Sequence, residues 1–454
     1  MINIEELSIG DIQQSYYEKK ISVKEIVEEY LNRIRLIDQG DIKLNSILEI
    51  NPDALTIASY LDEHREEYDS NLFGIPILLK DNIDTKDNMH TSAGALALAD
   101  SYAAEDADIV KILRQKGAII LGKTNMTEFA NYMTKGMKPG YSSRGGLVKS
   151  PYNESKSPSG SSTGSAVAVT ANLCTASIGT DTAGSITSPS KSNGIVGFRP
   201  SMGALSQKGL IPVSFTLDTA GPMTKTVKDA AIIYGELTNY FVDIPSGKTD
   251  LSRLNIGIAM DNIENVTSEQ GKKIEAILSI LKKSGANIKK VKIPVVSKEY
   301  LKSIQRYEFK YSIHQYLSTL PKDYPIRSLA QIIEYNQMHP TETLKYGQSL
   351  LVDALENTRG DLSELEYRVL LEDRILKKKH VLKILRDIDL CLLFQENLIL
   401  QYTGLPCITI PRGLLNDGMP YGIYLTGKED VSLLQNAYVV EQAIGRRVPP
   451  KLLT

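Results

Sequence analysis

The sequence has no tryptophan, and its 454 residues include only three cysteines, five histidines and seven phenylalanines. Cys174, Cys391 and Cys407 lie far apart in apolar surroundings with no CxxC pair, which excludes a disulfide framework and points to buried, inert thiols in a reducing compartment. His64, His90, His314, His339 and His380 are scattered, with no HExxH or comparable pairing, so no metal site is expected. No run of 18 apolar residues occurs, and the opening Met1-Ile-Asn-Ile-Glu-Glu6 has no basic start followed by an apolar stretch. A cytoplasmic chain without a membrane partner is therefore expected. Charge of one sign is lacking too: 52 Lys and Arg face 54 Asp and Glu, a net −2, with no long basic block. That argues against nucleic acid as a partner. The absent tryptophan, beside 23 tyrosines, carries no functional message.

What is present is an ordinary globular composition, 42% hydrophobic and 23% charged, on a chain long enough for about three domains or one large enzyme core. Ser22-Val-Lys-Glu25 reads as a capping box that opens a helix, with Ile26, Tyr30, Leu31 and Ile34 at helical spacing. Gly74-Ile-Pro-Ile-Leu-Leu79 is too short for a helix and reads as a buried strand. Asp108 to Lys116 reads as a helix stopped by Gly117, and Ala118 to Leu121 as the next strand, a helix-to-strand step of an α/β sheet. Residues 134 to 165 are rich in Gly, Ser and Pro and lead into an Ala/Val helix, Ala166 to Leu173, a pattern that marks a site more often than a linker. Further on, Lys272 to Lys283 reads as a helix and Val291 to Pro294 as a strand. Leu301 to His380 is almost wholly helical with a break near Pro321 to Pro325. Ile388 to Phe394 and Cys407 to Ile410 read as strands, and Val431 to Ile444 as the closing helix.

Three motifs fail in context. Gly117-Ala-Ile-Ile-Leu-Gly-Lys-Thr124 satisfies the phosphate-loop pattern, but its middle residues are themselves the strand and cannot form the open turn that cradles phosphate. Gly160-Ser-Ser-Thr-Gly164 fits a nucleophile elbow, yet a polar, proline-broken stretch precedes it where a buried strand is required. Ser188-Pro-Ser-Lys191 lacks the KTG and SDN elements that accompany SxxK in penicillin-binding proteins.

One constellation holds together: Lys80 at the end of a buried strand, Ser161 in the Gly160–Gly164 loop, and Ser185 in Gly179-Thr-Asp-Thr-Ala-Gly-Ser185. Serine with lysine is a known nucleophile–base pairing. To act near neutrality the lysine pKa must fall by about 3, roughly 4 kcal/mol of bias against its charged form, and burial at a strand end supplies it. The competing reading has Lys80 paired with Asp81 or Asp84 at the surface. Gly179 and Gly184 would let the chain turn so that the N–H groups of Thr182, Ala183, Gly184 and Ser185 converge on an oxyanion.

These segments, Gly74 to Thr85, Lys156 to Ser165 and Gly179 to Ile186, with the serines 24 residues apart, resemble the amidase signature family, most closely its bacterial peptide amidases. The likeness extends through Gly194 to Pro200, Asp218 to Pro222 and Gly404 to Pro406. The resemblance implies an α/β/α sandwich around a mixed twisted sheet with an added helical region. One domain spans 1–454: N-terminal helices (1–70), signature core (71–225), α/β continuation (226–299), a helical substrate-side region (300–385) and a C-terminal core segment (386–454). It implies a cofactor-free amidase with a Ser–Ser–Lys triad: Ser185 attacks, Ser161, held by a cis peptide bond, relays the proton, and Lys80 is the base. Ser162 would hydrogen-bond the lysine, Asp181 would brace the loop, and Asn131, with Tyr132 and the Gly140–Gly146 loop, would line the pocket. The substrate would be a small or peptide amide. Acyl transfer to an amine and a subunit of the glutamine amidotransferase type are the alternatives.

The chain departs from the family pattern at Ala183, where a glycine is common, and at Thr187, where an arginine braces the loop in many relatives. Thr163 likewise replaces a common glycine. Only Gln395 to Tyr402 follows the strand ending at Phe394, a shortened wall that would open the acyl pocket.

Overall fold

Short apolar runs bounded by glycine and proline become the inner strands of one large sheet in the computed structural model, which describes residues 3–244, 250–259, 266–445 and 447–452. In chain order the strands are β1 (Ile47–Ile50), β2 (Pro76–Lys80), β3 (Ile119–Thr124), β4 (Tyr141–Ser142), β5 (Gly146–Leu147), β6 (Ala176–Asp181) and β7 (Val196–Arg199). They continue with β8 (Thr219–Thr224), β9 (Asn255–Ala259), β10 (Asn287–Val291), β11 (Leu390–Leu393), β12 (Cys407–Leu414) and β13 (Pro420–Thr426). Eleven of them join in the order β1-β3-β2-β6-β8-β7-β12-β13-β11-β9-β10, while β4 and β5 form a separate ribbon. The sheet is mixed, as expected: β2 runs parallel to both β3 and β6, and β9 to β10 and β11, with antiparallel pairs between.

Alternation along β2 shows the layering. Ile77 and Leu79 pack with Ile109, Val110 and Leu113 of the helix Asp108–Gln115, whereas Leu78 packs with Ile26, Tyr30 and Ala166–Val169 on the opposite face. Helices thus cover both sides of the sheet, and every residue of β2, β3, β6 and β8 is buried, which is why these strands read as continuous rather than alternating runs. The same alternation turns Lys80 to the side of Leu78, toward the helix Thr163–Thr170. That helix is buried along its whole length. Gly164 permits this, because a Cβ there would collide with the carbonyls of Ser46 and Asn125.

The predicted capping box is present: Ser22 accepts from Glu25 N–H at 3.1 Å and the Glu25 carboxylate accepts from Ser22 N–H at 2.8 Å. Several boundaries differ from expectation: the strand at 118–121 is Ile119–Thr124, the helix at 272–283 starts at Ser268, and the strand at 407–410 runs on to Leu414. The Ala/Val helix spans Thr163–Thr170, so it begins three residues earlier, capped in position by Ser162. The strand expected at 291–294 is instead Asn287–Val291, because the ladder with β9 runs from Asn287 to Val291 and Pro294 has no N–H with which to extend it. The helical stretch is present with its break, as Lys298–Thr319, Leu329–Met338, Pro340–Thr343, Ser349–Glu356 and Leu365–Ile384. Phe309, Ile313, Leu317, Ile332 and Leu351 from this region pack on Ala93–Leu98 and on Met126, Phe129 and Met133. The helices therefore roof the loops that follow β2 and β3, outside the carboxyl ends of those parallel strands, where open α/β sheets place their ligands.

Candidate active site

Lys80 ends β2 fully buried, flanked by β3 and β6. Its Nζ lies 2.8 Å from Ser161 Oγ, 2.8 Å from Thr180 Oγ1 and 3.3 Å from the Thr180 carbonyl. Burial lowers the Lys80 pKa to about 7, against the opposing pull of the Asp181 and Asp218 charges. The surface pairing with Asp81 or Asp84 does not occur. Asp81 is bound to Ser92, to Gly94 N–H at 2.9 Å and to Arg144, while Asp84 accepts from the Tyr316 hydroxyl at 2.8 Å. A second buried lysine, Lys123 in β3, donates to the Ile83 carbonyl at 2.6 Å and to Thr91 at 2.8 Å. This accounts for the phosphate-loop text: the residues of that pattern from Ile119 onward are strand, and the lysine staples the loop after β2.

Ser161 follows a cis Gly160–Ser161 peptide bond and is buried at 1% exposure. Its carbonyl accepts from Thr127 N–H at 3.0 Å, and the next residue, Ser162, donates its N–H to the Ser185 carbonyl at 3.2 Å. The two serine loops are thereby tied backbone to backbone. The side chain of Ser162 does not reach the lysine as expected. It donates to the Thr180 carbonyl at 3.0 Å and accepts from Thr180 N–H at 3.2 Å, so it holds the strand end that in turn holds Lys80. Close approach of Ser162 to β6 explains Gly179, which sits in the strand rather than in a turn: a Cβ there would come within 2.8 Å of Ser162 Oγ and 2.7 Å of Met223 Sδ.

Ser185 lies beyond Gly184, whose φ of +95° makes the turn, and is 7% exposed. Asp181 braces this turn as expected, accepting from Gly184 N–H at 2.9 Å and from Ile186 N–H at 2.8 Å, with Arg199 Nε 3.3 Å away. The brace corrects one expectation. The Gly184 N–H is committed to Asp181, which leaves Thr182, Ala183 and Ser185 as the available donors for an oxyanion. Thr182 is itself fixed, its hydroxyl donating to Asp218 at 2.6 Å, and Asp218 accepts from the N–H groups of Val213 and Ser214 at 2.7 and 2.9 Å. The segment continues to Glu308 on the roof, a buried carboxylate that accepts from Ser214, Thr216 and Tyr367.

Thr187 is buried, and the helix Thr187–Ser192 is held from the short 394–396 segment. Lys191 Nζ donates to the Phe394 carbonyl at 2.9 Å and the Ser188 hydroxyl donates to the Glu396 carboxylate. Asn131 is not brought into the cluster. It is exposed at φ +74°, following left-handed Phe129 and Ala130, and its side chain makes no hydrogen bond among the described residues. Tyr132 is buried against Phe309, 4.4 Å between ring centroids, and Arg144 of the Gly140–Gly146 loop is pinned to Glu49 and Asp81.

Thr180, Asp218 and Glu396 contact this cluster without having been singled out from the sequence. Thr180 and Asp218 stood inside the quoted segments, but nothing in their spacing indicates which hydroxyl or carboxylate faces the lysine. Among the described residues no group of three or more His, Cys, Asp or Glu is placed to hold a metal ion, and no helix is long and apolar enough to cross a membrane.

The amidase family matches residues 25–393. The chain is 34% identical to a protein of Arabidopsis thaliana described as a probable amidase, over 99% of this chain and 92% of that one. Its structure superposes on the native peptide amidase of Stenotrophomonas maltophilia with a TM-score of 0.91 at 32% identity, each chain covered in full. It is also 30% identical to a glutamyl-tRNA(Gln) amidotransferase subunit of Alkaliphilus metalliredigens, over 98% of both chains.

Proposed function

The chain belongs to the amidase family and is an amide-hydrolysing enzyme, and from that premise we propose that it cleaves a linear carboxamide through an acyl-enzyme on Ser185, with Ser161 as relay and Lys80 as general base. The observation that carries this reading is the uncharged-capable Lys80 at 2.8 Å from Ser161. A neutral amine has two N–H groups and one lone pair. Thr180 offers two acceptors, its carbonyl and its Oγ1, so the lone pair is left facing the Ser161 hydroxyl.

In the reaction Ser185 Oγ bonds to the amide carbon while its proton passes to Ser161 and the Ser161 proton to Lys80. The carbonyl oxygen, now an oxyanion, is met by the N–H groups of Thr182, Ala183 and Ser185. The C–N bond breaks as the proton returns through Ser161 to the leaving nitrogen, and water then repeats the sequence on the ester to release the acid. Likeness to the Stenotrophomonas maltophilia peptide amidase supports a peptide C-terminal amide as the substrate. The test is ammonia release from a panel of peptide amides by the wild type and by Ser185→Ala. Full activity in the variant overturns the mechanism. Ammonia release from glutamine in place of peptide amides would favour the amidotransferase-like reading, which rests on the Alkaliphilus metalliredigens relative.

A further inference from the structure

The Glu396 carboxylate stands against the nucleophile's own turn. It lies so close to Gly184 that a Cβ on that glycine would collide with Oε1, and the same oxygen accepts from the Ser188 hydroxyl one helical turn after Ser185. Glu396 is only half-buried, as are its neighbours Ala183 and Ser188, so this corner opens toward solvent beside the reacting serine. Among the described residues Glu396 has no ion pair. Two cations act on it through space without pairing, Lys298 and Lys191, and the Lys191 Nζ donates instead to the Phe394 carbonyl at 2.9 Å and sits 4.7 Å over the Tyr424 ring. Nor does Oε2 take any hydrogen bond from the described residues. A carboxylate with one oxygen free, set in a partly desolvated corner, is a site for a cation.

We propose that Glu396 selects amide substrates whose acyl part carries a positive charge, an ammonium or guanidinium close to the scissile carbonyl. The inference rests on the amidase reading of Ser185. When a primary carboxamide reacts, ammonia leaves, so recognition falls on the acyl part. The short segment from Gln395 to Tyr402 is what brings this carboxylate to the site, since Glu396 comes three residues after the end of β11 and the helix Ile399–Thr403 follows at once.

The test compares two peptide amides of equal shape, N-acetyl-alanyl-lysinamide and N-acetyl-alanyl-norleucinamide, and reads the ratio of their kcat/KM values at pH 8. Using a ratio cancels any loss of folded enzyme. The wild type should favour the lysine amide by about tenfold or more, the discrimination that a close, partly desolvated charge pair supplies. Glu396→Gln should bring the ratio to about one. A wild-type ratio at or below one, or a ratio unchanged by Glu396→Gln, overturns the role of Glu396. Hydrolysis of the norleucine amide that is lost in Ser185→Ala keeps the amidase reading intact in that case. Hydrolysis of neither amide overturns the reading itself and the inference with it.

Discussion

Lys80 Nζ lies 2.8 Å from Ser161 Oγ in a fully buried position, and no carboxylate among the described residues hydrogen-bonds or ion-pairs with it. Its charge is therefore opposed by burial and supported only at a distance, which holds its pKa at about 7. A base of this kind works when unprotonated, so kcat/KM for an uncharged amide should rise with pH through an apparent pKa of about 7 and level off above it. A pH–rate profile checks this. Lys80→Arg, which cannot lose its proton, should be inactive across the whole range.

The same pKa makes a statement about stability. An unfolded lysine titrates near 10.4, so between about pH 7 and 10 the unfolded chain binds the extra proton and stability rises with pH. Below pH 7 both states are protonated and the full cost of the buried charge is present. Lys80→Met should therefore raise Tm at pH 6, with the advantage shrinking steadily toward pH 10. Thermal melts of both proteins across that range measure it, and a pH-independent difference would contradict it.

Thr180 supplies two of the three contacts of the lysine nitrogen. Thr180→Val removes the hydroxyl acceptor but keeps the carbonyl, leaving one amine N–H unsatisfied in a buried site. Such a loss is worth about 1–3 kcal/mol, so kcat should fall roughly tenfold to a hundredfold. Because a hydrogen-bond acceptor favours the ammonium over the amine, its removal should also move the acidic limb of the profile to lower pH. A merely structural role would lower activity without moving the limb.

Gly184 is constrained twice, by φ of +95° and by the Glu396 carboxylate beyond its Cα. Gly184→Ala should destabilise the protein by about 1–3 kcal/mol from backbone strain alone and displace the Ser185 turn. Glu396→Gly in the same background should recover the steric part of the loss and leave the strain. Chemical denaturation of the single and double variants separates the two.

The strands and their sheet were legible because burial writes itself into sequence: Gly74 to Leu79 could be nothing but a short inner strand once its length and its flanking glycine and proline were weighed. That Lys80 and the two serine loops come together was legible for a related reason, since serine and lysine beside glycines are conspicuous against apolar strands. What stayed hidden depends on facing across the fold. Ser162 turned to Thr180 rather than to Lys80, the Gly184 N–H went to Asp181, and Glu396 reached the Gly184–Ser188 turn from more than two hundred residues away. Asn131, adjacent in sequence to buried Tyr132, came out exposed because three successive left-handed residues reverse the chain there. The misplaced strand at 291–294 is a matter of register, which the exposed edge strand β10 shows only through its pairing with β9.

The proposed activation of Ser185 through Lys80 is measured most directly by mass spectrometry of the intact, folded protein after exposure to a phosphonofluoridate, with peptide mapping of the adduct. One adduct per chain, on Ser185 and absent when Lys80 is replaced by alanine, is the predicted result. An adduct on another serine, or labelling of Ser185 that persists undiminished in Lys80→Ala, would contradict it.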